Sequence, residues 1–235
     1  MKTATICLSL TLSALSAPLF AHEGVPSLPE HEKSEWIELF DGKSIDAWEI
    51  KGSKAEYKVE DGAIVGIGKD LKGNSFLCTK ERFTDFEFQF EMKFDHLEGN
   101  SGVMFRANQK ESENGNGRVF GYQCEHDNRK DRAWTAGLYD EARRGWLYPV
   151  QKDSDKVRQR WFTGTGVAHF NWEGWNTITI RCQGNHIQTW MNGIKRVDFI
   201  DTDKKNDTRE GFIGLQVHGG KSCQVRWKNL KLRKL

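Results

Sequence analysis

Between Phe86 and Phe94 the chain reads FEFQFEMKF, and Phe86, Phe88, Phe90, Met92 and Phe94 alternate with charged or polar neighbours. A strict period of two puts every apolar side chain on one face of an extended strand. Such a face must be covered by a second layer. The same alternation recurs in GVMFR, GYQCEH, NTITIRCQ, HIQTWMNG, GFIGLQVHG and QVRWKNLKL. AEYKVEDGAIVGIG reads as a hairpin around Asp61-Gly62, and Gly184-Asn185 as a tight turn. No window shows a persuasive helical period, and no repeat recurs at a fixed spacing. About ten short strands with frequent glycine turns predict an all-β jelly-roll sandwich of two antiparallel sheets.

Residues 1–21 fall outside that pattern. Lys2 precedes an apolar run from Ile6 to Leu15, and small residues lead to Ala21, which reads as a signal peptide cleaved there. The run is too short and hydroxyl-rich to span a bilayer. The mature protein is therefore expected in the periplasm or secreted. Residues 22–34, with Pro26 and Pro29, read as a flexible leader, and 35–235 as a single domain. The formal charge of the whole chain is +2, which supports neither nucleic-acid nor membrane-surface binding. Oligomeric state is left open. Cys78, Cys124, Cys182 and Cys223 permit two disulfides after export. Their wide spacing argues against a zinc knuckle, and buried free thiols are an equal alternative.

Strand parity then sorts residues by face. Val103 and Phe105 point one way and Arg106 the other; Tyr122, Cys124 and His126 oppose Gln123, Glu125 and Asp127. Leu215 and Val217 face inward, Gln216 and His218 outward. If these strands are neighbours, Arg106, Gln123, Glu125, Asp127, Gln216 and His218 share one surface. From Asn128 to Gly174 a long excursion carries Tyr139, Asp140, Glu141, Arg143, Arg144, Trp146 and Tyr148. It is too aromatic for a solvated tail and is expected to fold over the sheet as a lid or wall.

Carboxylates, guanidiniums and flat rings gathered this closely fit a polar, ring-shaped ligand such as a sugar. Glu125 and Asp127 repel each other on one face, an arrangement that raises one pKa and leaves an acid–base pair. His218, followed by Gly219 and Gly220, can act as acid, base or metal ligand. The plainer alternatives are that Arg106 pairs with a surface acid, that Asp140-Glu141 caps a single helical turn, and that Trp146 and Tyr148 are packing residues. No cofactor is required by the sequence; a divalent cation held by His218, Glu125 and Asp127 is an option that no spacing motif demands. His22, His31 and His96 read as surface residues.

WIELFDGKSIDAWE, YKVEDGAIVG, TKERFTDFEFQFEMKF, GNSGVMFR, GYQCEHDN, GLYDEARRGWLYP, WNTITIRCQGNHIQTWMNG and GFIGLQVHG, in that order, closely resemble the domain of unknown function 1080 family. The family is described as 3-keto-glycoside hydrolases or 3-keto-glucoside 1,2-lyases. The resemblance covers Trp36 to Leu235 and implies a concanavalin-like jelly roll acting on an oxidised (3-keto) glycoside or disaccharide. It implies proton abstraction at C2, elimination of the C1 substituent, and hydration. Catalysis would then fall to Glu125, His218, Asp127 and Arg106. Substrate binding would fall to Gln123, Tyr139, Asp140, Glu141, Arg143, Arg144, Trp146, Tyr148 and Gln216. His126 departs from the aliphatic residue of many relatives. A non-catalytic carbohydrate-binding module is the competing expectation, and a protein-interaction domain the third.

Overall fold

The computed structural model of the chain describes residues 35–96, 99–113, 116–150 and 155–235. The proposed signal, the leader, His22 and His31 lie outside the described residues. The strands are β1 (Ile37–Glu38), β2 (Trp48–Gly52), β3 (Glu56–Glu60), β4 (Ala63–Leu71), β5 (Ser75–Thr79), β6 (Phe86–Phe94), β7 (Ser101–Gln109) and β8 (Val119–His126). They continue through β9 (Leu138–Glu141), β10 (Gly145–Tyr148), the helix α1 (Lys156–His169), β11 (Asn176–Gln183), β12 (His186–Met191), β13 (Ile194–Ile200), β14 (Phe212–Val217) and β15 (Gly220–Lys234). Two antiparallel sheets result. One has the order β13-β12-β11-β6-β15-β4-β3, with β1 on β15; the other runs β10-β9-β8-β7-β14-β5-β2.

The alternating strand β6 sits in the middle of the first sheet, between β11 and β15. Its five apolar residues all enter the core, as the period of two requires. From the facing sheet, Leu77, Val103, Phe105, Tyr122, Cys124, Leu215 and Val217 fill the other half. Phe76, Cys78, Met104 and Ala107 instead form a smaller apolar cluster with Val119 and Phe212. Alternation within β5 and β7 puts this cluster on the outer face of the second sheet. All four described cysteines are buried and free, so the packing alternative holds over the disulfide one.

The long excursion is not structureless. β9 and β10 form a hairpin that extends the second sheet, with Ala142 at φ +59° and Gly145 at φ +76° in its turn. Asp140-Glu141 therefore ends a strand and does not cap a helix. The helix, α1, follows afterwards. It escapes a periodicity argument because only Phe162 and Gly166 are buried along it. Gly164 and Gly166 also lower its intrinsic propensity by about 1 kcal/mol each relative to alanine. Gly166 is required by contact: a Cβ there would lie 1.9 Å from the Ala133 carbonyl oxygen. Arg196 on β13 locks the arrangement. Its buried guanidinium lies 3.6 Å from the Phe162 ring centroid and donates to the carbonyls of Ala133 and Thr135. Burial without a carboxylate partner pushes its pKa down to about 9.

Candidate functional site

Strands β8, β7 and β14 are consecutive neighbours, and Gly102 on β7 pairs with Glu125 on one side and Gln216 on the other. The glycine is needed here. A Cβ at residue 102 would lie 2.7 Å from the Gln123 side chain, which fills that space. A line of side chains crosses the outer face as a result. Gln216 Nε2 donates to Gln123 Oε1 at 2.8 Å, and Gln123 Nε2 donates to Glu125 Oε2 at 2.9 Å. Oε1 of Glu125 accepts from Asn100 Nδ2 at 2.8 Å and Arg132 Nη2 at 3.0 Å.

Glu125 is thus a carboxylate only 4 % exposed, with three donors aimed at it. Its pKa is raised. Burial is the largest cause; the Asn100 hydrogen bond and the Arg132 charge oppose the shift without cancelling it. The carboxylate opens into a cavity of about 200 Å³ whose walls include Gln123, Gln216 and Arg132. Tyr139 and Glu141 enter from the outward-facing half of β9, and Trp146 from β10. Trp146 meets Tyr139 edge-on, with centroids 5.3 Å apart. His218 is exposed on the cavity wall, just past the end of β14. Its Nδ1 lies 2.6 Å from the Gly219 carbonyl oxygen. A carbonyl only accepts, so Nδ1 carries the hydrogen and Nε2 of the neutral ring keeps its lone pair.

Gln123, Glu125, Gln216, His218, Tyr139, Glu141 and Trp146 are therefore brought together. The remaining sequence candidates are not. Arg106 sits at a register shift in β7 with φ +45°, which breaks the parity that would have turned it outward. Its side chain is fully buried and donates to Asp85 at 2.7 Å and to the Thr84 and Gly184 carbonyls at 2.7 and 2.6 Å. It ties the two sheets together and does not reach the cavity.

Asp127 lies one residue beyond β8, where pairing has stopped and alternation no longer governs direction. Its carboxylate accepts from Arg132 Nε at 2.5 Å and from the Trp134 main-chain N–H at 3.0 Å. It holds Arg132 in place and does not line the cavity. Asp140 is on the inward half of β9, opposite Tyr122. It pairs with Arg143 and Arg144, and Arg144 continues to Asp201 at 2.8 Å, whose carboxylate also accepts from the Tyr122 hydroxyl. Arg143 and Arg144 thus clamp the hairpin to the segment after β13. Tyr148 is displaced by the shift in β10 and packs edge-on against Phe162 at 5.9 Å.

Two cavity residues, Asn100 and Arg132, were missed by strand parity because neither is in a strand. Asn100 had a signal in the GNSG run that leads into β7. Arg132 had none: it is placed by Asp127 and by the rings of Trp134 and Trp146, at 5.4 and 5.1 Å from its guanidinium carbon. His126 faces the core, against Phe90 at 5.6 Å, and is structural. His96 is exposed. Among the described residues no group of three or more His, Cys, Asp or Glu could hold a metal ion. Glu125, Asp127 and His218 do not fit a divalent cation together, because Asp127 is spent on Arg132 and the main chain.

The fold is shared by solved structures. A Parabacteroides distasonis protein, provisionally named a glycosyl hydrolase, aligns at 20% identity with a TM-score of 0.54, covering 85% of this chain and 94% of that one. A Bacillus subtilis protein of unknown function with a galectin-like fold aligns at 10% identity and a TM-score of 0.60, covering 85% and 98%. A prokaryotic β-1,3-1,4-glucanase (lichenase) from a mouse hindgut metagenome aligns at 12% identity and a TM-score of 0.53, covering 85% and 99%. At these identities the likeness speaks for the jelly-roll architecture alone. No curated protein matches the chain. The 3-keto-alpha-glucoside-1,2-lyase-like domain model matches residues 35–233, and the chain belongs to that family of carbohydrate-active domains.

Proposed function

We propose that this protein is an exported enzyme that cleaves 3-keto-glycosides by elimination followed by hydration. The observation that carries the reading is Glu125, a buried carboxylate with a raised pKa, fixed at the bottom of a sugar-sized polar cavity. A lectin needs hydrogen bonds and stacking rings, but gains nothing from desolvating a carboxylate.

The ketone at C3 acidifies the hydrogen on C2. Glu125 removes that proton, and the C–H electron pair forms the C2–C3 enolate. Arg132 and Asn100, both bonded to Glu125 and both on the cavity wall, supply positive charge and a donor for the enolate oxygen. Collapse of the enolate restores the C3 carbonyl, forms the C1–C2 double bond and expels the C1 oxygen with its electron pair. Nε2 of His218, whose lone pair first takes up a proton from solvent, delivers that proton to the departing oxygen. Water then adds across C1–C2, hydroxyl to C1 and proton to C2, and gives free 3-keto-glucose. Tyr139 and Trp146 present ring faces and edges to the sugar. A separate oxidoreductase must supply the ketone.

The test is incubation of purified protein with a 3-keto-glucoside, with and without chelator, following aglycone release. Release by the parent and its loss in Glu125→Gln support the reading. Absence of release in every condition, alongside retained glycan binding, replaces it with a carbohydrate-binding module.

A further inference from the structure

Hydration needs a base that elimination does not leave over. Once Glu125 has taken the C2 proton it is a carboxylic acid, and it holds that proton for return to C2. The water that attacks C1 has to give up a proton elsewhere. A second carboxylate, Glu141, lines the same cavity. It is 9 % exposed, against 4 % for Glu125, and its oxygens are less committed. Oε1 accepts from Asn74 Nδ2 at 3.5 Å and from Arg118 Nη2 at 3.4 Å, both at the long limit of a hydrogen bond. Among the described residues no hydrogen bond reaches its Oε2.

The two carboxylates stand on either side of Tyr139. Along β8 and β9, Glu125 lies against Gly137, Gln123 opposite Tyr139, and Gly121 opposite Glu141. Burial, then the charges of Glu141 and of Glu125, raise the Tyr139 pKa, so the phenol between them keeps its proton. Asn74 fixes the end of the sugar that Glu141 serves. Its Nδ2 reaches Glu141, and its Oδ1 accepts from the Gly219 N–H at 3.0 Å, next to His218. Glu141 and the imidazole that serves the C1 oxygen are thus tied to one wall. Beyond Glu141 opens a second cavity of about 530 Å³, with Lys72, Asn74, Asn116 and Arg118 on its walls. Donors and acceptors of that kind hold water. Glu141 lines both cavities, so with a sugar filling the first one, water approaches C1 past this carboxylate.

We infer that Glu141 is the base of the hydration step, acting on water drawn from the second cavity. This rests on the elimination reading above, which leaves Glu125 protonated and the C1–C2 double bond conjugated with the C3 carbonyl. Glu141 takes one proton from the water, and the oxygen lone pair forms the C1–O bond. The C1–C2 π electrons move to C2–C3, and the carbonyl π pair moves to the C3 oxygen, beside Arg132 and Asn100. Collapse of this enolate restores the C3 carbonyl as C2 takes the proton back from Glu125, which returns to its ionised form. Glu141 passes its own proton to solvent through the second cavity.

The experiment follows single turnovers of a methyl 3-keto-glucoside, quenched and read by NMR, on proteins with the parent's far-ultraviolet circular dichroism. Glu141→Gln should release methanol within about twofold of the parent. Its 3-keto-glucose formation should fall about a hundredfold, the lower end of general base catalysis, so that 2-hydroxy-3-keto-glucal accumulates. Glu141→Asp, with the carboxylate on a shorter arm, should fall between the two. Methanol and 3-keto-glucose slowed by one common factor make Glu141 a binding residue and overturn the assignment. Hydration at the parent's rate also overturns it and gives the water's proton to His218. If the parent releases no methanol, the elimination reading fails first, and the glucal supplied directly decides Glu141. Hydration by the parent that is lost in Glu141→Gln supports the assignment; hydration unchanged in the variant, or absent in the parent, overturns it.

Discussion

Gln123 reaches Glu125 across space that exists because residue 102 has no side chain. The 2.9 Å bond from Nε2 to Oε2 runs where a Cβ on Gly102 would come within 2.7 Å of the glutamine. Gly102→Ala should therefore displace the Gln123 amide and break the line from Gln216 to Glu125, while β7 keeps its pairing. Losing a hydrogen bond to a buried charged group costs about 1.5–3 kcal/mol. The expected result is a fall in kcat of about tenfold to a hundredfold with unchanged far-ultraviolet circular dichroism. Unaltered kcat would mean that Gln123 does not orient the base.

Glu125→Gln keeps the shape of the side chain and removes the carboxylate proposed as the base. Its turnover should fall by about 10²–10⁴, the usual contribution of general base catalysis. A general base works only when ionised, so the parent's activity should fall as pH drops through the Glu125 pKa. Burial raises that pKa, so the acidic limb of kcat/KM should lie above the ordinary glutamate range. A limb at the ordinary value would show the carboxylate to be solvated during turnover.

Asp127 tests the role of Arg132, the cation bonded to Glu125. Asp127→Asn keeps an acceptor for the Trp134 N–H but drops the charge that fixes Arg132 Nε. Arg132 remains within reach of Glu125, so the expected change is a loss of kcat and a shifted acidic limb, with KM less affected. A variant with the parent's pH profile would make Asp127 a loop anchor with no influence on the site.

Arg106 makes the opposite prediction. Arg106→Met removes a buried guanidinium that joins Asp85 to the Thr84 and Gly184 carbonyls. Asp85 is itself 37 % exposed, so the loss is of hydrogen bonds to that carboxylate and to two main-chain carbonyls, about 1 kcal/mol each, which urea unfolding should register. Specific activity of the folded fraction should stay at the parent's level, since Arg106 touches nothing in the cavity.

Alternation carried strand parity as far as the strands remained regular. Glu125, Gln123 and Gln216 were legible because β8, β7 and β14 pair in register around Gly102. Arg106 was misread because a register shift moves a side chain to the other face, and no composition signal marks it. Asp127 failed one residue past a strand end. Arg132 was invisible because its position depends on Asp127 and two tryptophan rings, contacts that only the folded loop creates. The helix α1 was hidden by its short buried face and by glycines that exist for contact with Ala133.

His126 gives the fold a defined pH sensitivity. Both ring nitrogens are buried without a hydrogen-bond partner, and burial pushes the pKa from 6.5 down to about 4. Above pH 6.5 the ring is neutral in both the folded and the unfolded chain, so stability carries no contribution from its titration. Between 6.5 and 4 the unfolded chain binds a proton that the folded chain refuses, and stability falls as pH falls. At about 1.4 kcal/mol per unit, the step from pH 7 to pH 5 should cost about 2 kcal/mol through this residue alone. Other groups titrate over the same interval, so the readout is a difference. Urea unfolding of the parent and of His126→Leu at both pH values should show the variant losing about 2 kcal/mol less. The variant should also match or exceed the parent at pH 7, because it removes two unpartnered polar atoms from the core. Equal pH dependence in the two proteins would mean that the imidazole finds a proton donor or acceptor in the folded state.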